Sequence, residues 1–228
     1  MSDSLEQPAG VATSESSKTP LDLKLFYAFV TVLALAMVGS LLFWRPGNKL
    51  DSHPHTPDQP RRLGDFTLTE RNGRTVTQAE VADKFVVVNF IHTGCSVSCL
   101  QVNQQMAEVQ RLTTGQDDVR LMSLTVDPRT DTPPVLTEFG KKFGADPDRW
   151  LLLTGEKNVL YELIETSFLQ REPLARTSPM PGGFLDVDRI AVVDRAGRVR
   201  HYYDGMKSGT PAAIVKVLDE LRKESKAL

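Results

Sequence analysis

The chain has 228 residues, 40% of them hydrophobic and 25% charged, which suffices for one sizeable core and excludes wholesale disorder and collagen-like repeats. Lys+Arg 27 against Asp+Glu 29 leaves a formal net charge of -2, so no global basic field draws the protein to nucleic acid. The two cysteines, Cys95 and Cys99, exclude a multi-disulfide scaffold and a four-cysteine zinc site.

Residues 1–24 are rich in Ser, Thr, Glu and Ala without periodicity and read as a disordered tail. Leu25 to Trp44 then runs without a charge. As a helix rising about 1.5 Å per residue it reaches about 30 Å, the thickness of a bilayer core, which predicts one transmembrane helix. A signal peptide cleaved near Ala34-Leu35-Ala36 is the weaker reading, because the apolar run continues to Phe43-Trp44. Lys18 and Lys24 precede the span while Arg45 and Lys49 follow it, so charge does not orient it. Residues 45–62 carry Pro54, Pro57 and Pro60 among polar residues and read as an extended tether. Residues 63–228 remain as one domain.

Within that domain strand and helix signals alternate. Phe66 to Leu68 and Arg74 to Val76 flank Asn72-Gly73 as a small hairpin, and Thr77-Gln78-Ala79-Glu80 has capping-box spacing for a short helix. Phe85 to Ile91 is a continuous apolar run with β-branched residues, the signature of a central strand buried on both faces. Leu100 to Leu112 reads as helix and Val119 to Val126 as strand. Thr132 and Pro133 supply an N-cap and a first-turn proline for a helix to Phe143. Trp150 to Leu153 is strand, Glu156 to Glu165 helix, and Ile190 to Val193 with Val199 to Tyr203 a hairpin around Asp194-Arg195-Ala196-Gly197. Thr210-Pro211 starts a last helix that runs to about Lys223. The order predicts an α/β domain, a mixed central sheet with helices on both faces.

Cys95 and Cys99 fall where the buried strand hands over to a helix. A thiol in a first helical turn meets unpaired backbone N–H groups and the positive end of the dipole, which favours its thiolate, both a nucleophile and a soft metal ligand. On one regular helical face the two Cβ atoms would stand about 5–6 Å apart. A disulfide needs them nearer about 3.8 Å, so it requires the turn to loosen, whereas a bridging metal demands less. The spacing is compatible with thiol–disulfide exchange and with metal binding. Asp127 and Asp131 are candidates to support the thiols, against the plainer roles of turn formation and helix capping.

Phe90-Ile91-His92-Thr93-Gly94-Cys95-Ser96-Val97-Ser98-Cys99, the stretch Ser123-Leu124-Thr125-Val126-Asp127-Pro128-Arg129-Thr130-Asp131-Thr132-Pro133, and Trp150-Leu151-Leu152-Leu153-Thr154-Gly155 resemble successive signatures of the Sco/SenC proteins. The resemblance covers nearly everything from Arg62 onward. It implies a thioredoxin-like fold on one N-terminal membrane helix, most simply in a bacterial inner membrane with the C-terminal domain in the periplasm. It also implies copper held by Cys95, Cys99 and a distant histidine, and delivery to, or thiol maintenance of, the copper centre of cytochrome c oxidase. The implied partners are the oxidase's copper-bearing subunit or another assembly factor. The family places its histidine eleven residues before the glycine of the last hairpin; counting back from Gly197 reaches Asp186. A carboxylate is a harder ligand than imidazole, which implies a weakened or altered copper site, and His92 is a candidate substitute. Met180, His53, His55 and His201 are more distant candidates. Ser96 and Leu100 stand where the family commonly has prolines beside its cysteines.

The alternative is a membrane-tethered thiol–disulfide oxidoreductase that uses Cys95 and Cys99 without metal. Such proteins usually carry C-x-x-C and a cis-proline opposite it. This chain has one more residue between its thiols and Arg189 at the proline position.

Overall fold

The computed structural model describes residues 20–43, 61–94, 97–168 and 188–226. The chain divides into two compact units, residues 1–48 and 49–228.

In the first unit, α1 spans Pro20–Phe43, 24 residues. It begins five residues before the expected span, because proline is at home in a first helical turn, where its missing N–H costs nothing. The side chains described on it, at residues 25–35 and 37, are all exposed. Among the described residues, no helix is long and apolar enough to cross a membrane. The expected tail up to residue 19 and the tether over residues 45–60 lie outside the described residues.

In the second unit the elements are β1 (Thr67–Glu70), β2 (Thr75–Thr77), a short 3-10 turn (Gln78–Val81), β3 (Phe85–Ile91), α2 (Val97–Leu112), β4 (Val119–Thr125), α3 (Pro133–Lys142), β5 (Trp150–Thr154), α4 (Lys157–Phe168), β6 (Arg189–Val193), β7 (Val199–Asp204) and α5 (Thr210–Lys226). They form a seven-stranded sheet of order β2-β1-β5-β4-β3-β6-β7. β3, β4 and β5 are parallel, while β1 and β6 join them antiparallel. The expected mixed sheet is therefore the observed one. The domain starts slightly earlier than expected: Arg61 donates to the carbonyls of Glu165 and Thr166, and Arg62 bridges to Arg198, so these residues belong to the fold rather than to a tether.

All seven residues of β3 are buried, which explains why an unbroken apolar run forms the middle of the sheet. Its side chains alternate between two cores. Val86, Val88 and Phe90 pack with Leu160, Leu163, Ile164 and Phe168 of α4. Phe85 and Val87 pack on the other face with Val102, Met106 and Val109 of α2 and Ile214, Val217, Leu218 and Leu221 of α5. Ile91 meets Leu136 of α3 on that second side.

Two capping expectations are corrected. Neither Thr77 nor Thr132 makes a side-chain cap, although both hold the extended backbone of an N-cap residue. The segment after Thr77 is too short for more than a 3-10 turn, and Pro134 at the second position of α3 removes one of the N–H groups that a cap side chain would have satisfied.

Candidate redox and metal site

β3 ends at Ile91, and α2 begins at Val97, three residues earlier than the sequence reading has it. Cys99 thus lies in the first turn of α2, where it is buried to 3% exposure and disulfide-bonded. Cys95 lies outside the described residues.

The loop between strand and helix is held from the side by the Asp127 to Asp131 segment. Asp131 is fully buried and accepts from the backbone N–H of Thr93 at 3.2 Å, from the Thr93 hydroxyl and from the Thr125 hydroxyl. The Thr125 hydroxyl oxygen in turn accepts from the N–H of Asp127 at 3.0 Å. The backbone N–H of Val126 donates to the Ile91 carbonyl at 2.9 Å, and the N–H groups of Thr130 and Asp131 fold back on the Asp127 carbonyl. Asp127 therefore makes the turn, as its residue type predicts. Asp131 does not cap α3; it clamps the segment that leads into the cysteines.

His92 is half-buried. Its ring lies over Gly94, where an added Cβ would stand 3.1 Å from His92 Cε1, and its Nδ1 is buried with no hydrogen-bond partner among the described residues. Asp127 is held below the usual carboxylate value by the Thr130 hydroxyl, by the Thr130 backbone N–H and by the nearby His92. On the far side of Asp127, Tyr161 donates its hydroxyl to the Val126 carbonyl at 2.9 Å, and burial followed by the Asp127 charge raises its phenol above the usual value.

β6 starts beside the cysteine end of β3, since Ile190 pairs with Asn89. The first half of α2 packs against the same corner. Gln101 donates to the Met206 carbonyl at 2.6 Å, and Gly205 fits so closely that an added Cβ would lie 2.8 Å from the Asp188 carbonyl oxygen and 2.9 Å from Val102. Asp186, Met180, His53 and His55 lie outside the described residues. His201 does not face water, as a simple alternation suggests. It is half-buried in β7 opposite Val192, and burial, then Arg200, lowers its imidazole below the usual value. Residues of α5, Glu220 and Glu224, offset this in part.

A polar chain runs beneath Cys99 that sequence reasoning missed. The Trp150 indole N–H donates to Ser123 Oγ at 2.8 Å, Ser123 Oγ to Asn89 Oδ1 at 2.6 Å, Asn89 Nδ2 to Asn103 Oδ1 at 3.1 Å, and Asn103 Nδ2 to the Cys99 carbonyl at 2.7 Å. All four side chains have 0% exposure. Asn89, alone among the residues of β3 in being polar, was the signal.

A mixed sheet flanked by helices, with a disulfide-bonded cysteine in the first turn after the central strand, defines a thioredoxin-like domain with a thiol site. The SCO1/SenC family model matches residues 54–222, and the chain belongs to that family. A SCO2-like protein of Rickettsia felis is 33% identical over 143 residues, which is 61% of this chain and 68% of that one. The SCO1 protein homolog of Bacillus subtilis is 30% identical over 91 residues, 40% of this chain. Protein SenC of Rhodobacter capsulatus is 39% identical over 77 residues, 33% of this chain. The matched stretches span only 47% and 35% of those last two relatives. Among solved structures, a SCO1/SenC family lipoprotein from Bacillus anthracis is 25% identical at a TM-score of 0.61, covering 73% of this chain and 99% of the other. Bradyrhizobium japonicum ScoI, solved with copper bound, is 22% identical at a TM-score of 0.55, covering 70% of this chain and 99% of its own; that likeness carries the fold.

Proposed function

We propose that this protein is a membrane-anchored copper-handling protein that delivers copper to, or keeps reduced, the copper centre of cytochrome c oxidase, with Cys95 and Cys99 alternating between a disulfide and a copper-binding dithiol. The observation that carries this reading is the buried, disulfide-bonded Cys99 in the first turn of α2. Two thiolates suit Cu(I), and the helix N-terminus favours the anionic sulfur. Copper is the cargo here, and the donor set fits it: besides the two sulfurs, His92 offers an imidazole nitrogen that has no partner among the described residues. Asp186 is the proposed third group in the position where the family carries histidine, and its harder oxygen makes the site a weak holder of Cu(I). Related proteins have been described in terms of a disulfide switch within a family of cytochrome c oxidase assembly proteins, and ScoI as a copper complex. The anchor, with the domain in a bacterial periplasm, rests on the sequence alone, on the charge-free stretch of residues 25–44.

The test is a copper titration of the reduced chain in detergent, with bound metal counted after gel filtration. Copper bound at up to one per chain, lost in both Cys95→Ala and Cys99→Ala and retained more fully in Asp186→His, is the expected result. The disulfide itself favours a second reading, a thiol–disulfide oxidoreductase without metal. Failure to bind copper, together with ready exchange against a thiol redox buffer, would put that reading in its place.

A further inference from the structure

The buried chain from Trp150 to Cys99 has a fixed direction, and chemistry alone sets it. An indole N–H only donates and a backbone carbonyl only accepts, so the hydroxyl and the two amides between them must each pass their donor the same way. Every N–H or O–H in the chain therefore points toward the first turn of α2. Aligned bonds polarise one another in a dry interior, and the last of them ends on the backbone carbonyl of Cys99 in the first turn of α2. Four polar side chains at 0% exposure are costly to bury unless each is satisfied, and a core of leucine and valine would have filled the same space. The chain crosses β5, β4 and β3 before it reaches α2, so it ties the cysteine turn to the most rigid part of the sheet.

We propose that Trp150, Ser123, Asn89 and Asn103 form a positioning relay that holds the Cys99 turn and favours the reduced form of the cysteine pair. The relay acts through Cys99 and touches no cargo. The proposal rests on the redox cycling of Cys95 and Cys99 advanced above. In that step an external dithiol gives two electrons and one proton to the disulfide and releases its other proton to solvent; the dithiol closes its own disulfide, Cys95 becomes a thiol and Cys99 a thiolate. With its positive ends aimed at the Cys99 carbonyl, in the same helical turn as the sulfur, an intact relay favours the thiolate and moves this equilibrium toward the reduced pair.

The test equilibrates the full chain in detergent with a reference dithiol and compares Asn103→Leu, Ser123→Ala and Ser123→Thr, with Ile164→Val on the α4 face as a control that lowers stability without touching the relay. Asn103→Leu should shift the exchange constant about tenfold toward the disulfide, equivalent to ~30 mV for a two-electron couple. Ser123→Ala, which breaks the chain further back, should shift it about threefold, and Ser123→Thr should restore it. The control should leave it unchanged. Equal constants for wild type, Ser123→Ala and Asn103→Leu overturn the proposal and leave the four residues as packing. So does a control that moves the constant as far as the relay variants do.

A second readout separates this failure from failure of the cycling reading. With Trp44→Phe, Trp150 is the remaining indole in the chain, and its N–H resonance should differ between the disulfide form and a phosphine-reduced form. In Asn103→Leu that difference should vanish. If wild type does not exchange with the dithiol yet shows the resonance difference, the cycling reading falls and the relay stands. If the resonance is the same in both forms, the relay falls whatever the exchange experiment gives.

Discussion

Asp131 is the residue on which the cysteine segment leans hardest. Its buried carboxylate takes hydrogen bonds from Thr93, in the turn after β3, and from Thr125, the last residue of β4, and removing it leaves those donors without their acceptor. Asp131→Ala should therefore cost about 2–4 kcal/mol of unfolding free energy, well above an ordinary surface change. Asp131→Asn, which keeps one acceptor oxygen and the shape, should cost less. Urea unfolding of the two variants reads this directly; equal and small losses would reduce the clamp to an incidental contact. Sequence alone favours turn formation and helix capping for Asp127 and Asp131 over support of the thiols, and it does not tell the two carboxylates apart. Asp127 follows the rule for its residue type and makes a turn, whereas Asp131 reaches back 38 positions to Thr93, a contact that only the parallel pairing of β3 with β4 creates.

The elements themselves were largely legible, because hydrophobic period and turn residues are local signals. Phe85 to Ile91 is observed as predicted, and the Asp194 to Gly197 hairpin and the helices from Pro133 and Thr210 start where their punctuation places them. What local signals miss is how elements meet. Val97 starts α2 because that helix is pinned from outside by Gln101 on Met206 and by the fit of Val102 against Gly205. Gly205→Ala should push on the Asp188 carbonyl and on Val102 together, costing about 1–3 kcal/mol, and should loosen the cysteine turn enough to speed alkylation of reduced Cys99. A variant as stable and as slowly alkylated as wild type would mean that this corner yields freely. At the opposite end of the sheet, Asp118 joins three elements: Arg195 of the last hairpin donates to it at 2.8 Å and Arg222 of α5 grips both of its oxygens at 2.8 and 3.1 Å. The Arg222 hydrogen bond, then that of Arg195, holds its carboxyl below the usual value. A carboxyl depressed in the folded state stabilises above its unfolded value near ~3.9 and loses that contribution as pH falls through the lower folded value. Asp118→Asn should thus be less stable than wild type by about 1–2 kcal/mol at neutral pH, with the gap closing below about pH 4. A gap that stays constant into acid would assign the loss to packing over Phe85, on which both guanidinium groups also rest.

At the scale of the whole molecule, the proposed cycle makes stability a measure of cargo. Closing a loop as short as that between Cys95 and Cys99 removes chain entropy worth about 2 kcal/mol from the unfolded state. Reduction should then lower the melting temperature of the domain by about 4–8 °C for a chain of this size. Copper bound only by the folded dithiol restores stability by mass action, about 2.7 kcal/mol when free Cu(I) stands a hundredfold above its dissociation constant. The recovery is set by affinity, so it reports on the third ligand without any appeal to oxidase activity. With Asp186 the reduced protein should regain little at a buffered, limiting Cu(I) concentration, and His92→Ala should remove most of what it regains. Asp186→His should supply a softer nitrogen donor and raise the melting temperature of the copper form above that of wild type, while leaving the disulfide form unchanged. If wild type and Asp186→His recover equally and His92→Ala has no effect, then neither the carboxylate nor His92 limits the site, and the ligand assignment made from residue 186 is wrong. If copper stabilises no reduced form while the disulfide still exchanges with thiols, the melting curves themselves favour the metal-free oxidoreductase.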